Sequence, residues 1–197
     1  MNSIEFDNGY NKHMYVSKVL AFIILIIFSP IFIIISITIL FSDGFPIIFK
    51  QKRIGVNNGI FWLYKFRTMR KEIPDIPTHL IDGNQKLYIR SGQILRKISI
   101  DELPQLINII KGEMVFVGPR PALHNQDDLI ELRTNVGIHE LIPGVTGWAQ
   151  VNGRDELNIP EKVKLDEYYL QNKSFWLNIK ILFITGVQIL FPKGVSH

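Results

Sequence analysis

The sequence predicts an α+β protein, mostly helical, that is attached to a membrane by one apolar helix bent near its middle. Residues 19–41 contain no charged side chain, and as a straight helix of about 35 Å they would cross a bilayer. Residues 47–54 and 60–66 flank the turn-forming pair Asn58-Gly59, which predicts one small β-hairpin. Further helices are indicated after residue 100, where apolar residues recur at helical spacing.

The composition limits the classes of protein to consider. The chain has 197 residues, which is enough for one domain with a sizeable core. It has no cysteine, so disulfides and thiolate metal sites are excluded. The formal net charge of +4 favours an anionic partner, such as a membrane surface, phosphate groups or nucleic acid. Because no nucleic-acid-binding motif accompanies this charge, we expect no nucleic-acid partner.

The apolar segment leaves two topologies open. Ser29-Pro30 lies near its middle, where proline removes a backbone hydrogen bond and bends the helix, and the Ser29 hydroxyl is suited to replace part of that loss. Lys12 and Lys18 precede the segment, and Lys50 follows it. Since a single span usually has asymmetric flanks, a re-entrant helix with both ends in the cytoplasm and a kinked single span are both consistent with this pattern.

An adjacent acidic pair, Asp101 and Glu102, precedes a predicted helix that Gly112 terminates. We expect Asp101 to be the N-cap and Pro104 to lie in the first turn, where no N–H is needed. The helix start should then keep Asp101 ionised, so that it serves as a nucleophile or a metal ligand. Spacing alone explains the pair more simply, as helix caps.

Several cations are candidates for binding substrate phosphates. They are Arg96, Arg154, Lys65 and Arg67. Arg96 is the first choice, because it lies shortly before the acidic pair and a helix N-terminus already attracts anions. Arg120 lies in the stiff loop 118–121, and Arg154 follows a glycine at a loop end. Attraction to anionic lipid explains the basic hairpin equally well, and each arginine is also explained as a surface charge.

The C-terminal half is predicted to be helical with one irregular stretch. Residues 123–139, 160–172 and 175–191 have helical patterns, and residues 141–148 form a turn-rich loop. The last two helices are amphipathic, and Trp176 favours packing of the final helix at a membrane surface.

These motifs resemble those of the short, single-domain monotopic phosphoglycosyl transferases, a group of bacterial sugar transferases. The resemblance runs from about residue 14 to about residue 195. It is carried by Ser29-Pro30 and by residues 64–69, 99–106, 111–114, 117–121 and 143–154. The resemblance implies a sugar transferase domain at 14–195 after a polar tail at 1–13. Within that domain, residues 19–41 are a re-entrant helix and residues 42–195 the catalytic part, on the cytoplasmic face of the bacterial inner membrane.

The resemblance also implies an activity. Such enzymes move a sugar-1-phosphate from a UDP-sugar to a polyprenyl (undecaprenyl) phosphate and release UMP, as the first membrane step in the synthesis of a capsule, exopolysaccharide, O-antigen or glycoprotein glycan. Asp101 matches the nucleophile that forms a covalent aspartyl phosphosugar intermediate. Glu102 matches the acid that helps hold Mg²⁺, with Asp101 as the other metal ligand. Arg96, Arg120 and Arg154 match arginines associated with phosphate binding.

Other functions compete with this one. A membrane-anchored adaptor would use the basic hairpin to bind lipid or proteins and would tolerate replacement of Asp101. A metal-dependent lipid phosphatase would use water as the acceptor and release phosphate. The sequence does not identify the sugar. Membrane lipid is an expected contact, and a homo-oligomer or downstream glycosyltransferases are the protein partners considered.

Overall fold

The computed structural model describes residues 3–70, 87–153 and 157–191, with side chains from residue 14 onward. Arg154, one of the predicted phosphate-binding residues, lies outside the described residues. The α-helices are α1 (Ser3–Ile27), α2 (Ser29–Asp43), α3 (Gly92–Lys97), α4 (Gln105–Lys111), α5 (Asp127–Asn135), α6 (Trp148–Asn152), α7 (Ile159–Asn172) and α8 (Phe175–Leu190). The strands are β1 (Ile48–Ile54), β2 (Ile60–Phe66), β3 (Val115–Val117) and β4 (Gly144–Thr146).

The two N-terminal helices form one apolar unit with a bend of 63° at the predicted place. Pro30 has no N–H to donate to the carbonyl of Ile26, and the Ser29 hydroxyl donates to that carbonyl instead, over 2.7 Å. By length and composition, no single described helix meets the requirement for a membrane span, whereas the bent pair taken together does. Since α1 begins at Ser3, residues 3–13 of the predicted polar tail belong to the first helix.

One side of the bent pair packs on the rest of the protein. Ala21 of α1 contacts the core cluster that includes Leu106 of α4. Ile39 of α2 is fully buried in a second cluster, in which the rings of Phe32 and Phe66 lie 5.1 Å apart. The other side is apolar and exposed, with Leu20, Phe22, Ile23, Ile26, Ile27, Ile33, Ile34 and Ile37. An apolar surface of this extent is typical of contact with a membrane or a partner.

The predicted hairpin is confirmed. β1 and β2 are antiparallel, with Ile48 opposite Phe66. The connection contains a short 3₁₀ turn in which Asn57 and Asn58 adopt left-handed backbone angles, with φ of 50° and 58°. Asparagine tolerates this conformation better than most residues. Phe61 and Leu63, on one face of β2, pack into the core. Because alternate residues of a strand share a face, Lys65 lies on this face as well and is directed to the interior of the molecule.

A second, parallel strand pair was missed from the sequence. Val115 pairs with Gly144 and Val117 with Thr146, so the expectation of a turn-rich loop was wrong over Gly144–Thr146. A β-carbon on Gly144 would overlap the backbone nitrogen of Gly118. The two chains therefore approach as closely as glycine allows, just before the loop that carries Arg120.

The C-terminal helices mostly match their predicted bounds. The helix expected over residues 123–139 is shorter, because α5 is followed by Gly137 in a left-handed conformation (φ 80°) and then by a 3₁₀ turn at Ile138–Glu140. α7 begins with a capping box formed by Asn158 and Glu161. α8 buries Ile181 and exposes an apolar face that includes Trp176, as expected for an amphipathic helix.

We predict that Gly144→Ala destabilises the protein by about 1–3 kcal/mol, because the added methyl group has no space beside Gly118. Gly186→Ala in α8 is the matched control, since a β-carbon there meets no atom within 4 Å. The control should be neutral or more stable by up to about 1 kcal/mol, because alanine favours helix. Thermal unfolding in detergent measures both variants, and equal melting temperatures would contradict the close packing.

Candidate active site

The acidic pair lies in a tight turn rather than at the start of α4. Ser99 adopts a left-handed conformation with φ of 55°, and a 3₁₀ turn covers Ile100–Glu102. Pro104 is the residue that precedes the first turn of α4, so the predicted N-cap position of Asp101 was wrong. A 3₁₀ turn between α3 and α4 takes the place of the predicted helix start, and in this turn Asp101 is buried. Gly112 ends α4 as predicted, with φ of 85°.

Asn108 fixes this turn relative to the hairpin, and no sequence pattern indicated it. The side chain is fully buried in α4. Its amide nitrogen donates to the carbonyl of Trp62 and to the carboxylate of Glu113, each over 2.7 Å. Its amide oxygen accepts from the backbone N–H of Tyr64 at 3.1 Å. Because these bonds join α4 to β2 next to Lys65, they set the distance between Lys65 and the acidic turn.

Glu102 is held between two cations. The ammonium nitrogen of Lys65 lies 2.7 Å from Glu102 Oε1, and Nη2 of Arg120 lies 3.4 Å from the same oxygen. Burial opposes ionisation of Glu102, but the two cations outweigh burial and hold its pKa at about 2. Burial lowers the pKa of Lys65, and Glu102 opposes that change. The structure therefore brings together three predicted residues that lie far apart in the chain.

Asp101 has a different environment from its neighbour. Within the described residues its carboxylate forms no hydrogen bond or ion pair, and the residue is 5% exposed. Burial raises the pKa of Asp101 to about 6, with Glu102 adding to the rise and Lys65, Arg96 and Arg120 opposing it. The expectation that a helix start favours ionisation of Asp101 was therefore wrong in direction, although the group is still mostly ionised at neutral pH.

The other predicted phosphate-binding arginines are not equally placed. Arg96 lies in the last turn of α3, 5.8 Å above the ring of Tyr88, and its charge acts on Asp101. Arg67 is buried directly after the end of β2, where it forms an ion pair of 2.8 Å with Asp43 and donates to the carbonyls of Asp43 and Gly44. The structure thus groups Arg96 with the acidic pair and places Arg67 at the end of the bent helix pair.

The site has the donor chemistry for Mg²⁺ but few protein ligands. Among the described residues, no group of three or more His, Cys, Asp or Glu side chains is arranged to hold a metal ion. The adjacent carboxylates of Asp101 and Glu102 supply hard oxygen donors. Mg²⁺ in proteins keeps several waters and commonly binds through one or two carboxylates together with substrate phosphates. This pair fits a metal that arrives with a diphosphate.

The arrangement defines a class of site. A buried, unpaired carboxylate lies beside one that is fixed as an anion, and cations surround both. Cations of this kind commonly bind phosphate groups, and carboxylates act as nucleophiles in some enzymes. The exposed apolar surface of the bent helix pair belongs to the same molecule. These are the features of a membrane-associated enzyme that acts on phosphate-bearing substrates.

The chain belongs to the bacterial sugar transferase family, whose model matches residues 11–192, and it is a transferase. It is similar to the uncharacterized sugar transferase EpsL of Bacillus subtilis (strain 168), with 44% identity over 156 residues that cover 78% of this chain and 75% of that protein. The exopolysaccharide production protein ExoY of Rhizobium meliloti (strain 1021) is 35% identical over 191 residues, which cover 88% of this chain and 83% of ExoY.

A longer relative carries a more specific name. The UDP-glucose:undecaprenyl-phosphate glucose-1-phosphate transferase of Escherichia coli (strain K12) is 37% identical over 174 residues, which cover 85% of this chain but only 38% of that enzyme. The family expected from the sequence motifs is therefore confirmed.

We predict that Asp101→Asn makes the metal-free protein more stable at pH 7.5, by up to about 3 kcal/mol. The folded-state pKa of about 6 lies above the ordinary value of 3.8, so ionisation of Asp101 destabilises the folded state above pH 6 and has no effect below pH 4. Melting temperatures in detergent with EDTA at pH 7.5 and pH 5 should show an advantage that shrinks at the lower pH.

Glu102→Gln is the matched control and should lower the melting temperature at pH 7.5. Its pKa of about 2 lies below the ordinary 4.5, so its ionised form stabilises the fold above pH 4.5 and this stabilisation is lost as the pH falls toward 2. Removal of this charge would leave two cations partly buried without their partner. The same direction of change for both variants would contradict the opposite environments of the two carboxylates.

Proposed function

We propose that this chain transfers a sugar-1-phosphate from a UDP-sugar to undecaprenyl phosphate and releases UMP. The observation that carries the proposal is the pairing of an unengaged, buried Asp101 with a Glu102 fixed by Lys65 and Arg120. The names of two further relatives support the substrates. One is the undecaprenyl-phosphate glucose phosphotransferase of Komagataeibacter xylinus, and the other is a UDP-N-acetylgalactosamine-undecaprenyl-phosphate transferase of Aeromonas hydrophila.

In the first step a carboxylate oxygen of Asp101 attacks the phosphorus that carries the sugar. The bond between this phosphorus and the bridging oxygen of the diphosphate breaks, and UMP leaves with that oxygen. In the second step a phosphate oxygen of the lipid attacks the same phosphorus, and the bond from this phosphorus to the Asp101 carboxylate breaks. The product is the sugar linked to the lipid through a diphosphate, and Asp101 is free again. A covalent aspartyl intermediate divides the transfer into two displacements and predicts ping-pong kinetics.

The cations of the site would offset the negative charge of the reacting phosphate groups. Arg120 and Lys65 reach Glu102 and are placed to stabilise phosphoryl oxygens, and Arg96 adds a third positive charge near Asp101. We propose Arg154 as a further phosphate ligand from its sequence motif alone. Bound Mg²⁺, held by Glu102 and Asp101, would neutralise the diphosphate and favour departure of UMP.

The bent helix pair suits a lipid acceptor. We infer that α1 and α2 form a re-entrant helix, so that both ends lie on the cytoplasmic face of the bacterial inner membrane. The lipid phosphate lies at the membrane surface, and an anchor packed directly on β2 and α4 holds the acidic pair at that level. This placement would make the reaction an early, membrane-bound step in the synthesis of a polysaccharide.

The test is release of UMP by the purified chain in nanodiscs. With Mg²⁺ and undecaprenyl phosphate we expect UMP from one member of a panel that includes UDP-glucose and UDP-N-acetylgalactosamine. Asp101→Asn should lower the rate by at least about a thousandfold, because the amide cannot act as the nucleophile that the proposal assigns to this carboxylate. With the UDP-sugar alone, the protein should release one equivalent of UMP and gain the mass of one sugar phosphate.

The alternatives give different results. Inorganic phosphate without a lipid-linked sugar would indicate a phosphatase. Lipid binding without UMP from any sugar would favour the adaptor. Full activity of Asp101→Asn would overturn the assignment of the nucleophile.

The re-entrant topology has its own test. The chain has no cysteine, so Asn8→Cys introduces a single label site near the N-terminus. In intact bacterial cells with a permeabilised outer membrane, a membrane-impermeant maleimide should not label this variant. Adding Ser29→Ala and Pro30→Ala restores the N–H at residue 30, straightens the helix and should expose the label site. Labelling without these two changes would favour a kinked single span.

A further inference from the structure

The loop around Arg120 is held by the carbonyl oxygens of four successive residues. The bonds are Gly144 N–H to Pro119 O at 2.9 Å, Arg133 Nη1 to Arg120 O at 2.8 Å, Arg53 Nη1 to Pro121 O at 3.0 Å, and Ile54 N–H to Ala122 O at 3.0 Å. Proline has no N–H, so residues 119–121 offer a single backbone donor and cannot be held by a regular strand ladder. The carbonyls are therefore the groups by which this loop is fixed.

Arg133 and Arg53 are prepared for this contact in the same way. Nε and Nη2 of Arg133 donate to Oδ2 of Asp166, over 3.1 and 2.5 Å, and its Nη1 points to the loop. Nε and Nη2 of Arg53 donate to Oε1 of Gln51, over 2.9 and 2.5 Å, and its Nη1 also points to the loop. In each case a side-chain oxygen fixes the plane of the guanidinium group, so the remaining nitrogen, Nη1, can donate in only one direction, toward the loop.

Burial makes the Arg133 arrangement rigid. The side chain of Asp166 is 1% exposed and that of Arg133 is 11% exposed. Separation of such a pair would leave a charge uncompensated away from water, which is strongly unfavourable. The ion pair between Arg133 and Asp166 is sufficient by itself to link α5 to α7, so this link does not require the further bond of Arg133 to the loop. The bond from Arg133 to the carbonyl of Arg120 connects that link to the candidate active site.

We propose that Arg133, oriented by Asp166, is a positioning residue that sets the backbone of Arg120 so that the Arg120 guanidinium meets Glu102. Arg53, oriented by Gln51, holds the next carbonyl of the same loop. This inference rests on the proposed function, in which Arg120 stabilises phosphoryl charge. It assigns to Arg133 an effect on the reaction without contact with substrate.

Arg133→Lys separates positioning from folding. Lysine keeps the positive charge that Asp166 requires, but it is a point donor and cannot donate twice to Asp166 Oδ2 from a fixed plane while reaching Arg120 O. Gln188→Met is the matched control, because it removes another side-chain bond to a backbone carbonyl, from Gln188 Nε2 to Val151 O at 3.0 Å, outside the loop. The melting temperatures of both variants should differ from that of the unmodified protein by a similar amount.

The first measurement is hydrogen–deuterium exchange of the full chain, which does not depend on activity. In Arg133→Lys, the amides of Gly118, Arg120, Ala122 and Leu123 should exchange at least about tenfold faster, while those of α5 and α7 keep their protection. Gln188→Met should leave residues 118–123 unchanged. Unchanged exchange in Arg133→Lys, or equal acceleration throughout α5 and α7, would overturn the proposal whatever the enzyme does.

The second measurement is a double-mutant cycle on UMP release. We expect Arg133→Lys to lower kcat about ten- to a hundredfold, as a misplaced catalytic group does. Added to Arg120→Met, it should cause no further loss, because both changes remove the same interaction. Multiplicative losses would show a merely structural role and overturn the proposal. If the unmodified chain released no UMP, the proposed function would fail, and the exchange result would still decide the role of Arg133.

Discussion

The ion pair between Glu102 and Lys65 is the contact on which the candidate site depends. It joins the acidic turn to the hairpin, and Arg120 adds the loop after β3 to the same carboxylate. Partly buried charges of this kind are costly to separate, so each group restrains the other two. Asn108 of α4 makes a second connection to the hairpin, through hydrogen bonds with the backbone of β2. Apolar clusters also join these segments, and the polar contacts fix where their charged groups lie relative to one another.

What the sequence predicted well depends on local chemistry. The bend at Ser29-Pro30, the hairpin and the end of α4 at Gly112 follow from a missing N–H, a turn pair and a left-handed cap, each within a few residues. β3 and β4 have three residues each, too few for a periodic pattern, and their pairing depends on two distant glycines. Burial of Asp101 also escaped prediction, because a capping pattern does not report what covers it.

Lys65 and Arg67 belong to one sequence motif but lie in different environments. Both were predicted to bind phosphates, but β2 ends at Phe66, so Arg67 leaves the strand and turns toward Asp43 at the end of α2. Only Lys65 reaches the acidic pair. The Arg67–Asp43 pair instead ties the bent helices to the strand that carries Lys65. The bent helix pair and the candidate site are consequently one mechanical unit, which suits the lipid acceptor of the proposed reaction.

The opposite environments of Asp101 and Glu102 suggest why two adjacent carboxylates are used. Lys65 and Arg120 hold Glu102 as an anion at any physiological pH, which suits a group that binds positive charge. Burial raises the pKa of Asp101 to about 6, so this carboxylate is more basic and less hydrated than an exposed one, yet still ionised at neutral pH. Higher basicity and weaker hydration both favour attack on phosphorus. In the proposed reaction, the burial that destabilises the fold would thus also be the source of the reactivity of Asp101.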